Sequence, residues 1–241
     1  SFVGAALEDA GSSFSASAIG SDGGADNDQI SISGPSADIS AISNLRQTSI
    51  ALQGVGAIIG DVGLTSNASS SGVLGGSGLD TIANNTILTS RADASAIAEQ
   101  VSIRYSRASV TLTPANASGV VGGNGNDVLT NLLAVSVESL ATAQNNNLDI
   151  RLVGGGIGSS NSIANARGIG MDGGVGDDTI INNLVVNVLS QARTSTSNTQ
   201  VSVADVSFRD STRFSISDAI GISGDRGADG IENFGLVRAI A

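Results

Sequence analysis

The chain has 241 residues, among them 18 Asp and 4 Glu against 11 Arg, with no Lys, His, Cys or Trp and a net charge of -11. That inventory excludes disulfides, thiol and imidazole catalysis, ordinary zinc sites and lysine Schiff bases, and it argues against nucleic acid and anionic membranes as partners. Cations remain the natural partner, and a hydrophobic complement drawn almost wholly from Ala, Val, Ile and Leu suits thin, regular layers better than an aromatic-filled core.

In chain order, the first notable segment is Asp22 to Ile30, DGGADNDQI, a glycine turn that ends on an aspartate and an aliphatic residue. It returns as Leu74 to Ile82, Val121 to Leu129, Asp172 to Ile180 and Ser223 to Ile231. The last aspartates of these copies, Asp28, Asp80, Asp127, Asp178 and Asp229, are spaced 52, 47, 51 and 51 residues apart. A glycine stands eight positions before each one, at Gly20, Gly72, Gly119, Gly170 and Gly221. The whole chain is therefore read as one segment built of repeats of about fifty residues, with motif copies at 20-32, 72-84, 119-131, 170-182 and 221-233; a fixed period of this kind signals a stacked architecture.

Each turn leads into alternation with a period of two, the mark of a strand with one buried face. Leu129, Asn131, Leu133, Val135 and Val137 share one side in the third copy, and Ile180, Asn182, Leu184, Val186 and Val188 do so in the fourth. Shorter strands are expected at Val101 to Tyr105 and Val201 to Val203. Helical spacing is hard to find, and the abundance of Gly, Ser, Thr and Asn disfavours it.

Four residues after the repeated aspartate stands Asn84, Asn131, Asn182 or Asn233, with Ile32 the exception. The alternation turns these amides inward, where an unpaired amide is costly. Stacked at the strand spacing of about 4.8 Å, they can bond to the copies above and below as a ladder. The alternatives are a surface turn or a glycosylation acceptor at Asn84-Asn-Thr86. The ladder predicts an all-β parallel β-solenoid of about five coils, one per repeat, each of three long strands, with the glycine turns stacked on one edge. Two coils per repeat is the rival arrangement.

The turns resemble the calcium-binding nonapeptide of the repeat-in-toxin proteins, Gly-Gly-x-Gly-x-Asp-x-aliphatic-x. The resemblance covers about nine residues in fifty. It implies Ca²⁺ held between adjacent coils by Asp28, Asp80, Asp127, Asp178 and Asp229 and by carbonyls of Gly76, Gly78, Gly123, Gly125, Gly174, Gly176 and Gly227. Asp22, Asp26, Asp172, Asp177 and Asp225 add carboxylates to the same turns. The physics agrees independently: Ca²⁺ takes about six to eight oxygens, and carboxylates stacked 4.8 Å apart repel by roughly 1 kcal/mol in water and about 3 kcal/mol at an effective dielectric near 20. Asp26 and Asp225 replace glycines of the pattern. The alternative is a metal-free corner whose aspartate caps backbone amides.

Both ends read as cut within a repeat, and Phe14 to Gly20 echoes Phe214 to Gly221. Uncapped repeats expose strand edges that pair with other chains. The leading expectation is a non-enzymatic, calcium-stabilised scaffold outside the cell or on its surface, stacking end to end into a fibre or matrix. An adhesin or polysaccharide-binding module is the second, with Arg104, Arg107 and Arg151 as candidate contacts. A β-helix glycan lyase or hydrolase is the third, and it predicts a groove with an Asp and Arg cluster absent from neighbouring repeats.

Overall fold

A computed structural model describes residues 10-52, 61-103, 108-151, 157-203 and 208-241. Among these the chain is all-β, with no helix. The strands are β1 (Ala10–Gly24), β2 (Gln29–Leu52), β3 (Val62–Ser77), β4 (Thr81–Ile103), β5 (Ser109–Asn124), β6 (Val128–Asn131), β7 (Val135–Arg151), β8 (Ile157–Val175), β9 (Thr179–Asn182), β10 (Val186–Ser202), β11 (Phe208–Arg226), β12 (Gly230–Asn233) and β13 (Val237–Ile240).

They form two parallel sheets. One runs β1-β3-β5-β8-β11; the other holds β2, β4, the split strands β6/β7 and β9/β10, then β12/β13. Paired residues are offset by 47 to 52 positions throughout, one sequence repeat per neighbouring strand. Each repeat thus supplies one long strand to each sheet, with the glycine turn joining them. This corrects the expectation of three long strands per repeat: β4 alone takes 23 residues, which leaves no length for a third.

The predicted period of two holds along β3 and β4, where alternate residues are buried. It fails at Leu133, which is half-buried, and at Leu184, which is 40% exposed. The strand stops at Asn131 or Asn182 and restarts at Val135 or Val186, so these leucines sit in a corner and leave the inner face. Ile82, Leu129 and Ile180 fill the interior on one side of that corner, and Leu88, Val135 and Val186 fill it on the other.

Along the middle of the strands many buried positions shrink to alanine and serine, while Val62 and Leu64 form a separate apolar cluster with Ala96 and Ala98 at the end far from the turn. Ala92, Ala94, Ala96 and Ala98 of β4 face inward, as do Ala115 and Ala117 of β5 and Ala141 and Ala143 of β7. Small side chains let two sheets approach closely, and the hydroxyls among them bond across the gap: the Ser43 and Ser66 hydroxyls are 2.7 Å apart, as are those of Ser70 and Ser90. Buried hydroxyls satisfied in this way avoid the cost of an orphaned polar group.

The glycine eight positions before each aspartate has a packing cause. A Cβ at Gly72 would meet Leu88 Cδ2 at 2.8 Å, and at Gly119 Val135 Cγ1 at 2.6 Å. A side chain of the opposite sheet and the carbonyl of the next repeat's matching glycine, 2.5 Å from a Cβ at Gly72, together occupy the space that any other residue would need. At this glycine the alternation also skips a step, because Gly72 and Val73, Gly119 and Val120, and Gly170 and Met171 are all buried. A repeated irregularity of this kind bends each strand in the same place, as a β-bulge does.

The echo between the two ends is out of step by one residue. Phe14 pairs with Ser66, on the inner face, while Phe214 pairs with Ile163 next to the buried Ala164. A one-residue slip moves a side chain to the opposite face, so the two phenylalanines are not equivalent.

Candidate functional site

The five repeated aspartates form a column along the edge where the glycine turns stack. The Asp28 amide donates to Asp80 Oδ1 at 2.8 Å, Asp80 to Asp127 at 2.8 Å, Asp127 to Asp178 at 2.8 Å and Asp178 to Asp229 at 3.0 Å. Each carboxylate therefore caps the same amide one repeat earlier. Asp80, Asp127 and Asp178 are each 1% exposed.

The second carboxylate oxygen has a different fate. Oδ2 of Asp28, Asp80, Asp127 and Asp178 is buried without a hydrogen-bond partner. It lies against the glycine five positions earlier, where a Cβ at Gly75 would meet Asp80 Oδ2 at 2.6 Å and one at Gly122 would meet Asp127 Oδ2 at 2.5 Å. That glycine makes room for the carboxylate, a role that sequence reading assigned only to turn geometry. The signal was available, since Gly23, Gly75, Gly122, Gly173 and Gly224 never vary.

Burial pushes the Asp127 carboxyl above its ordinary range, against the hydrogen bond from the Asp80 amide, and the charges of Asp178 and Asp80 add to the rise. Asp178 is raised in the same way by burial, against the Asp127 amide, with Asp229 and Asp177 adding to the effect.

The remaining predicted ligands separate into two groups. Gly76, Gly78, Gly123, Gly125, Gly174, Gly176 and Gly227 all have positive φ. The carbonyls of Gly76, Gly78, Gly123, Gly125 and Gly176 point at the matching glycine of the following repeat, close enough that a Cβ there would lie 1.5 to 2.1 Å from the oxygen. Stacking thus disfavours any side chain at these glycines, although Asp225 stands on Gly174 and Asp26 beneath Gly78. Asp225 adopts φ 65°, as an aspartate in that place can, whereas Asp26 has no positive φ.

Asp177 and Asn126 belong to a second, exposed ladder: the Leu79 amide donates to Asn27 Oδ1 at 2.8 Å, Asp177 to Asn126 at 2.9 Å and Ala228 to Asp177 Oδ1 at 2.9 Å. It runs opposite to the aspartate column. Asp22 and Asp172 occupy matching positions six residues before the column, on the outer face with Leu74 and Val121, and do not enter it. Among the described residues no three acidic side chains converge as a metal cage.

A third ladder is internal. Asn84 Nδ2 donates to Asn131 Oδ1 at 2.8 Å, Asn131 to Asn182 at 2.7 Å and Asn182 to Asn233 at 2.7 Å, and Asn233 closes on the Gly235 carbonyl. Asn84 and Thr86 are fully buried, so this tripeptide offers no surface for a glycan. Arg104 and Arg107 lie outside the described residues, as does the side chain of Arg151.

In donor chemistry the column offers a hard cation one buried, unpartnered carboxylate oxygen in each of four successive repeats, against the about six to eight oxygens that Ca²⁺ takes. It differs from the set implied by the motif in that the first carboxylate oxygen is committed to an amide and the glycine carbonyls face along the stack. Comparison with protein-family models, with curated proteins and with solved structures found no match.

Proposed function

We propose that this chain is a structural parallel β-solenoid, one coil per fifty-residue repeat, that serves as a scaffold outside the cell and extends by head-to-tail stacking. The observation that carries the reading is the set of three in-register ladders. The aspartate rung recurs at all four junctions between repeats and the asparagine rung at three, which is what a load-distributing rod needs and what a single catalytic centre does not.

The ladders are directional, so they support head-to-tail extension. At one end the Asp28 Oδ1 has no donor among the described residues; at the other the Asp229 amide has no acceptor there. Bringing these two together would add one more rung identical to the four present. Edge strands β1, β2 and β11 offer unpaired backbone to match, whether the next repeats belong to the same chain or to a second copy.

Calcium is the second part of the proposal, favoured by the unpartnered Oδ2 atoms. Asp28, Asp80, Asp127 and Asp178 would hold it, and the cation would neutralise a column whose like charges repel. Millimolar extracellular calcium matches a site of this weak class.

The test titrates calcium into chelator-treated protein, following β-sheet content by circular dichroism, thermal midpoint, and particle length by electron microscopy. A midpoint that rises with calcium in the native chain and rises less in Asp127→Asn, with elongation, is expected. Indifference to calcium assigns the column to amide capping alone, and particles that never exceed one chain in length overturn the stacking.

A further inference from the structure

The outer face of the five-stranded sheet carries a feature that the repeat does not. Where the strands bend at the glycine eight positions before the aspartate, a groove of about 280 Å³ opens across β3, β5 and β8. That volume is at the lower end of small-ligand sites. Its floor is apolar, formed by Leu74 and Val121 together with Ile169, which is only 9% exposed although it lies on the outer face.

Its rim is polar and unique to this part of the stack. Arg167 aligns with Asn116 and Ser69 in the preceding repeats, and Asp172 aligns with Val121 and Leu74. No other repeat sets an arginine and an aspartate side by side in these two columns. Asp172 Oδ1 is buried without a partner in the groove.

We propose that this groove binds a neutral polyhydroxylated ligand, a short stretch of a neutral polysaccharide. Arg167 donates, Asp172 accepts, and Asn116 and Ser69 do both, which matches hydroxyls that act as donor and acceptor at once. The Leu74, Val121 and Ile169 floor suits the C–H face of a sugar ring. An anionic polymer is disfavoured, because Arg167 is already paired with Asp218 at 3.6 Å and Asp172 and Asp225 leave the neighbourhood acidic.

The proposal is independent of calcium and of end-to-end stacking. Affinity electrophoresis through gels containing dextran, laminarin, galactomannan or alginate tests it, with dissociation constants measured by calorimetry for any polymer that retards the chain. Retardation by at least one of the three neutral polymers and not by alginate is expected. Arg167→Ala and Asp172→Asn should each weaken binding about tenfold or more, since each removes a hydrogen bond to a charged group. Both variants should keep the native thermal midpoint within a few degrees, and Glu138→Gln on the other sheet should bind like the native chain. No retardation by any neutral polymer, retardation by alginate alone, or binding that neither groove variant weakens overturns the proposal.

Discussion

At the scale of single residues, the turns are explained by what sits one repeat away. Asp127 caps the Asp80 amide, and Asp127→Ala would leave that buried donor unsatisfied, at a cost of about 1–3 kcal/mol. Asn131 both accepts from Asn84 and donates to Asn182, so Asn131→Ala orphans a group on each side. Chemical denaturation should show Asn131→Ala to be at least as damaging as Asp127→Ala; a loss near zero for either would remove that ladder from the account. The aspartate column also sets a pH dependence. An unfolded aspartate ionises near pH 3.9, whereas Asp127 and Asp178 are raised in the folded chain, so the folded state binds more protons above that pH. Stability from these groups is full in acid and is lost as pH rises through their raised values. In chelator, the thermal midpoint should fall as pH rises above about 4, and Asp127→Asn with Asp178→Asn should flatten the slope.

Strands and turns respond to stacking more than to propensity. Gly125→Ala would place a Cβ 1.6 Å from the Gly78 carbonyl oxygen, at a φ of 129°, whereas Gly63 has nothing within 4 Å of an added Cβ. Gly63→Ala should be nearly silent in thermal unfolding, and Gly125→Ala should lower the midpoint by several degrees, since strain at such a φ alone costs of order 1–3 kcal/mol. The alanine-lined stretch is equally unforgiving: Ala94→Leu overpacks a narrow gap and should cost about 1–3 kcal/mol. Much of this level was legible in the sequence, because the period of fifty, the inward asparagines and the positive-φ glycines all leave residue signatures. The corner at 132-134 and 183-185 was not, because Leu133 and Leu184 keep the apolar period while the backbone leaves the sheet. The groove was hidden for a different reason. Arg167 and Asp172 lie five residues apart on one strand and line the same groove, and neither residue recurs in the preceding repeats. The glycines at Gly75 and Gly122 were visible, but their purpose depends on where a carboxylate oxygen from the same turn comes to rest.

At the scale of the molecule, a repeat of about fifty residues advances the stack by a single strand spacing. Everything else follows from it, including the rungs of the three ladders, the carbonyl contacts at the glycines and the directionality that permits extension. The chain has no cysteine, so pairs can be introduced without competition. Val128 on β6 pairs with Thr179 on β9, and Thr179 pairs with Gly230 on β12, all three being exposed. Neighbours about 4.8 Å apart fall within the Cα separation of a disulfide, whereas positions two repeats apart, at roughly 10 Å, do not. The most direct measurement is therefore disulfide formation under mild oxidation in Val128→Cys with Thr179→Cys, beside Val128→Cys with Gly230→Cys, at concentrations where each chain is monomeric. Ready bridging of the first pair and not the second is the predicted result. Failure of the first pair, or equal bridging of both, would contradict one repeat per coil.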